Sequence, residues 1–176
     1  MNRVGKVLYT EKQILAGIKK LAEKLNKKFS DENPLMLGIF NGVVPFYANL
    51  SLRLKFDHEY DFIKCESYAG SKRVKDVESF WNKKRDVKGR HIILVDDIFD
   101  TGNTMKAVVK ILKDAGALSI TTVVMLDKVP CHPKNLKPDY SVFKIPNVWI
   151  VGYGLDMNGR LRNLPVIGIL RADLQK

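Results

Sequence analysis

Three carboxylates, Asp96, Asp97 and Asp100, stand within five positions and run straight into Thr101, Gly102, Asn103 and Thr104. Hydroxyls, amides and free backbone N–H groups suit a phosphate. Carboxylates repel a phosphate; they hold sugar hydroxyls, bridge a metal or accept a proton. The two demands side by side describe a sugar phosphate. A plain strand–loop–helix corner with solvated aspartates would carry the same residues, so the elements around them matter. Upstream, Ile92, Ile93, Leu94 and Val95 read as a strand buried on both faces, as a parallel sheet requires. Downstream, apolar positions 105, 108, 109 and 112 place one stripe on a helix, with Thr104 as its N-cap and Gly116 at its left-handed end. Strand, acidic turn, helix start: the backbone N–H groups there form a ready anion site.

The whole chain sets the bounds. Its 176 residues predict one domain with a sizeable core. Apolar residues make up 45% and charged residues 28%, ordinary for a globular protein; no run approaches a membrane span and no signal-peptide core follows Met1. Cys65 and Cys131 have neither metal spacing nor a disulfide framework, which favours reduced thiols and a cytoplasmic location. The net charge of +11 favours anionic partners, either nucleic acid or small phosphorylated substrates.

Along the chain, Thr10 and Gln13 form a capping box ahead of an amphipathic helix carrying Ile14, Leu15, Ile18, Leu21, Ala22 and Leu25. Leu35 to Phe40 reads as a buried strand ending at an Asn41-Gly42 turn, before a second helix seeded by Pro45 and carrying Phe46, Leu50 and Leu54. Residues 57–68 alternate in part and read as a strand, with Tyr60 and Phe62 on one side and Ile63 and Cys65 on the other. Residues 71–90 carry eight Lys/Arg and three Asp/Glu with little periodicity, which suits a solvated loop or a lid; the interleaved acids weigh against an RNA-binding run. Ile120 to Leu126 is another buried strand, followed by Asp127-Lys128. The histidines at 58, 91 and 132 are scattered and receive no role.

The stretch from Asp96 to Thr104 resembles the phosphoribosyl-pyrophosphate signature of type I phosphoribosyltransferases. The resemblance runs from about Val7 to Leu170. Through Lys128, Lys137-Pro138-Asp139-Tyr140 and Trp149-Ile150-Val151-Gly152-Tyr153-Gly154-Leu155-Asp156 it is similar to the subgroup acting on 6-oxopurines, the hypoxanthine and hypoxanthine-guanine enzymes. It implies an α/β fold: a central, mostly parallel sheet flanked by helices, with a small hood from the chain ends (about 1–10 and 149–176) and a lid at about 67–90.

The resemblance also implies roles. Asp96 and Asp97 hold the ribose diol, and with Asp156 they face Mg²⁺. Thr101, Gly102, Asn103 and Thr104 hold the 5′-phosphate. Backbone amides of Asn41 and Gly42, often beside a cis peptide, bind pyrophosphate with Arg162 and with Ser67 and Tyr68 of the lid. Lys128 donates to the 6-oxo oxygen, Trp149 stacks on the base, Ile150 offers backbone hydrogen bonds, and Asp156 lies near the base edge. Asp100 is the acid/base at the purine's imidazole nitrogen. Two departures stand out: many relatives have lysine at Asn41, and relatives often have glutamate at Asp96. For Trp149, burial in the core is an open alternative from composition alone. The implied reaction is phosphoribosyl transfer from phosphoribosyl pyrophosphate to hypoxanthine or guanine in purine salvage, by a homodimer or homotetramer. The alternatives are a nucleic-acid-binding regulator of the same fold and an enzyme for another base, such as xanthine or adenine. A cationic Lys128 opposes a 6-amino group, and 176 residues leave no room for an added nucleic-acid module.

Overall fold

A computed structural model of the chain describes residues 3–65 and 86–174. Its centre is a five-stranded, all-parallel sheet. In chain order the strands are β2 (Leu35–Phe40), β3 (Glu59–Lys64), β4 (His91–Phe99), β5 (Ser119–Asp127) and β6 (Tyr140–Lys144); in space the order is β3-β2-β4-β5-β6. A second sheet is antiparallel, in the order β1-β8-β7, from β1 (Val4–Tyr9), β7 (Ile150–Val151) and β8 (Ile167–Leu170). It joins the two ends of the chain, as the resemblance implied.

Both faces of the parallel sheet are covered. Ile93 and Val95 point to the side packed by α1 (Glu11–Lys28) and α2 (Val44–Ser51); Ile92 and Leu94 point to α3 (Asn103–Asp114), which answers with Met105, Val108 and Leu112. All four β4 residues are fully buried, which explains an unbroken apolar run in place of alternation. The Thr10–Gln13 capping box starts α1: Thr10 N–H donates to Gln13 Oε1 at 2.9 Å and Gln13 N–H to Thr10 Oγ1 at 3.4 Å.

Three local expectations are corrected. First, β4 does not end at Val95: Asp96 pairs with Val124 and Ile98 with Leu126, so Asp96 and Asp97 are strand residues. Backbone pairing with β5 continues past the apolar run, and both carboxylates line the cleft at the strand's end. Second, Thr104 does not cap α3. The N-cap is Gly102, in the left-handed region at φ 77°, and no side chain caps the end. Third, α2 stops at Ser51, so Leu54 packs from the following loop. At the far end of α3, Gly116 adopts φ 85°, and Ala117 N–H reaches back to the Leu112 carbonyl at 3.0 Å, closing the helix as expected.

The strand order places the site. From β2 the chain winds outward to β3, and from β4 it winds the other way through β5 and β6. The reversal lies between β2 and β4, and a crevice opens beyond the carboxyl ends of strands at such a point. The loops leaving it are Asn41-Gly42 and Asp100 to Thr104.

Candidate active site

A cleft of about 270 Å³ occupies that crevice, lined by Asn41, Gly42, Asp96, Asp97, Asp100, residues 101–104, Asp156 and Arg162. Asp96 is 8% exposed, and Asp97 N–H donates to its Oδ1 at 2.9 Å. Burial first, then the Asp97 charge and a hydrogen bond to Asp97, hold the Asp96 carboxyl well above the usual carboxylate range. Burial raises Asp97 too, opposed by hydrogen bonds from Asp96 and the Ile98 N–H and by the Arg162 charge. Two adjacent hard oxygen donors of this kind suit sugar hydroxyls or a magnesium-like cation.

Beyond them, Gly102 opens α3. A Cβ there would lie 2.6 Å from the Phe99 ring and 2.8 Å from Leu136 Cδ2, so the tight turn depends on glycine. Asn103 N–H reaches Thr101 Oγ1 at 3.4 Å, and Lys106 N–H makes the first helical bond to Gly102 at 2.9 Å. The N–H groups between them face the cleft end of α3, where an anion is favoured.

Across the cleft, the Phe40–Asn41 peptide is cis, at the place the resemblance gave for one. A Cβ on Gly42 would run into Asp97 Oδ2, so loop and strand touch here without side-chain bulk. Arg162 closes this side: Nη1 donates to the Gly154 carbonyl at 2.7 Å and Nη2 pairs with Asp156 Oδ1 at 2.8 Å. Asp156 Oδ2 accepts the Gly159 N–H at 2.7 Å. Both Asp156 oxygens are thus engaged, and among the described residues no three metal-ligating side chains form one cluster. An ion here would share Asp96 and Asp97 with a ligand's own oxygens, the usual manner for magnesium. Ser67 and Tyr68 lie outside the described residues.

A second pocket, about 560 Å³, is lined by Ile98, Asp100, Lys128, Asn147, Trp149 and Ile150, among others. Lys128 Nζ lies 3.2 Å from Asp100 Oδ2, its side chain 13% exposed. Trp149 is 54% exposed, which removes the core-packing alternative and leaves its ring free at the pocket wall. Ile98 and Asp100 line both pockets. Asp100 is the meeting point of a polar, phosphate-suited cleft and a larger pocket with an aromatic wall.

A family model described as phosphoribosyl transferase domain matches residues 5–158. The chain belongs to that family. Among curated relatives, this phosphoribosyltransferase is 41% identical over 172 residues to the hypoxanthine-guanine phosphoribosyltransferase of Lactococcus lactis, covering 97% of this chain and 93% of that one. It is 36% identical to the hypoxanthine-guanine-xanthine phosphoribosyltransferase of Tritrichomonas foetus, covering 97% and 94%. A solved hypoxanthine phosphoribosyltransferase from Staphylococcus aureus superposes with TM-score 0.88 at 29% identity, over 99% of this chain and 96% of that one. The phosphoribosyltransferase thus shares its α/β architecture with enzymes of the 6-oxopurine subgroup.

Sequence reasoning passed over two neighbours of the site. His132 is not one of three idle histidines: its Nε2 lies 2.7 Å from Asp127 Oδ1, with the two side chains only 4% and 7% exposed. Burial alone would lower its pKa, but the hydrogen bond and charge of Asp127 outweigh it and hold His132 above its ordinary value. Cys65 lines the cleft, where burial and then the Asp96 charge push its thiol up to about 11, so it stays an un-ionised wall. Nothing in the local spelling marks either residue; both are brought in by strand packing.

Proposed function

We propose that this chain transfers the 5-phosphoribosyl group from phosphoribosyl pyrophosphate to a 6-oxopurine, hypoxanthine or guanine, in purine salvage. The observation that carries this is Asp100, shared by the phosphate-suited cleft and the pocket holding Lys128 and Trp149. Two substrates held on either side of one carboxylate convert a bimolecular step into an effectively intramolecular one.

In this reading the purine nitrogen attacks the anomeric carbon of the ribose as the bond from that carbon to pyrophosphate breaks. Asp100 takes the proton released by the purine's imidazole ring, and pyrophosphate leaves with the electron pair. Asp96 and Asp97 orient the ribose diol, and Thr101, Gly102, Asn103 and Thr104 hold the 5′-phosphate at the start of α3. Amides of Asn41 and Gly42, with Arg162, meet the leaving pyrophosphate; Ser67 and Tyr68 join them by the resemblance. Lys128 donates to the 6-oxo oxygen, Trp149 stacks on the ring, and Ile150 and Asp156 meet the base edge. Asp96 and Asp97 fit magnesium, which when bound neutralises diphosphate charge. The lid expected at about 67–90, most of which lies outside the described residues while Val87 at its end is buried in the core, a cytoplasmic location and a homodimeric or homotetrameric state belong to the same reading. Among the described residues no helix is long and apolar enough to cross a membrane.

The test is direct: incubate the protein with Mg²⁺, phosphoribosyl pyrophosphate and each purine in turn. Nucleotide should form from hypoxanthine and guanine. Turnover of adenine alone would overturn the base assignment; turnover of xanthine would widen it, as the name of the Tritrichomonas relative implies for that protein.

A further inference from the structure

We propose that His132, anchored by Asp127, is a positioning residue that holds Lys128 and Asp100 together; this rests on the roles proposed for that pair. Strands β4 and β5 run side by side with Phe99 opposite Asp127. The residues that follow the two strands are Asp100 and Lys128, whose charges meet at 3.2 Å. His132 bridges the two residues that precede them. Its Nε2 is 2.7 Å from Asp127 Oδ1, and its ring meets Phe99 edge to face, with centroids 4.9 Å apart and planes at 88°.

The other ring nitrogen, Nδ1, lies 3.3 Å from the Pro133 carbonyl. Two acceptors facing two ring nitrogens ask both to donate, which only the imidazolium can do. A buried ion pair of this kind adds little to stability against an apolar replacement, yet it fixes geometry, because either partner alone would be an unpaired buried charge.

The five residues from Lys128 to His132 form a short turn pinned at several points. Lys128 N–H donates to the Phe99 carbonyl at 2.9 Å, and Cys131 N–H to the Lys128 carbonyl at 2.8 Å. His132 ties the end of the turn back to Asp127 at its root. Without that tie the turn is held only by its start, and the Lys128 ammonium and Asp100 lose their mutual register. The pyrophosphate side is built from other parts of the chain, Asn41, Gly42 and Arg162.

The experiment is steady-state kinetics with Mg²⁺, varying hypoxanthine and phosphoribosyl pyrophosphate separately, on wild type, His132→Gln and Asp127→Asn. In both variants kcat/KM for hypoxanthine should fall by about tenfold or more, while the KM for phosphoribosyl pyrophosphate stays within about threefold. His132→Arg, which keeps the cation and the donors, should recover most of the loss. If kcat/KM for hypoxanthine stayed within about twofold of wild type, or both substrates lost equally as a merely structural role would produce, the inference would be overturned. His132→Arg performing no better than His132→Gln would overturn it as well. Should His132→Gln fail to fold, the nearly isosteric Asp127→Asn supplies the same test. A wild-type protein inert with every 6-oxopurine would instead overturn the proposed function, and this inference with it.

Discussion

Gly42 and Gly154 meet backbone to backbone: a Cβ on Gly154 would run into the Gly42 carbonyl oxygen, and Gly154 itself holds φ 100°. The loop after β2 and the loop after β7 therefore touch only because both positions lack a side chain, and Arg162 locks the contact by donating to the Gly154 carbonyl at 2.7 Å. The hood is thereby joined to the Asn41–Gly42 side of the cleft.

Gly154→Ala should separate the two loops and strain the backbone by about 1–3 kcal/mol. The expected kinetic result is a KM for phosphoribosyl pyrophosphate raised about tenfold or more, with a smaller change for the purine. Equal KM values in variant and wild type would show that the contact is not needed for binding.

Asp100→Asn keeps the size of the side chain and removes the charge proposed to accept a proton. kcat should drop by about ten- to a thousandfold while phosphoribosyl pyrophosphate affinity stays within a few-fold. Asp97→Asn is the matched comparison, expected to damage sugar-phosphate binding instead. Full turnover by Asp100→Asn would make Asp100 a structural member of its turn.

Lys128→Ala should weaken the use of 6-oxopurines by about tenfold or more and leave phosphoribosyl pyrophosphate binding largely intact, since a pocket built to donate one hydrogen bond loses most when that donor goes. Titration of hypoxanthine and of phosphoribosyl pyrophosphate, each at saturating partner, separates the two effects. An unchanged kcat/KM for hypoxanthine would remove Lys128 from the base pocket.

Folding stability should carry the signature of His132. Because Asp127 holds the imidazolium above its ordinary pKa in the folded protein, its contribution is full below about pH 6.5 and is lost as pH rises through the folded value. Melting temperatures measured from about pH 6 to 9 should fall on the alkaline side in wild type, and this component of the slope should disappear in Asp127→Asn. An identical pH dependence in the two proteins would contradict the charged pair.

What the sequence determined by itself is local. The unbroken apolar run at Ile92 to Val95 announces a strand covered on both faces, the Thr10–Gln13 pair starts α1, and Gly116 ends α3, because each depends on residues a few positions apart. The signature from Asp96 to Thr104 likewise carries its own chemistry, and the family follows from it. Tertiary structure decided the rest. Whether Trp149 was core or pocket wall turned on its 54% exposure, a property of the hood sheet and not of neighbouring residues. The N-cap at Gly102 in place of Thr104 follows from Phe99 and Leu136 closing over the turn. Gly42 finds Gly154, and His132 finds Phe99, only once the sheets are assembled with parallel strands in register. Such contacts join residues far apart in the chain or on different strands, so no pattern of period 2 or 3.6 can announce them.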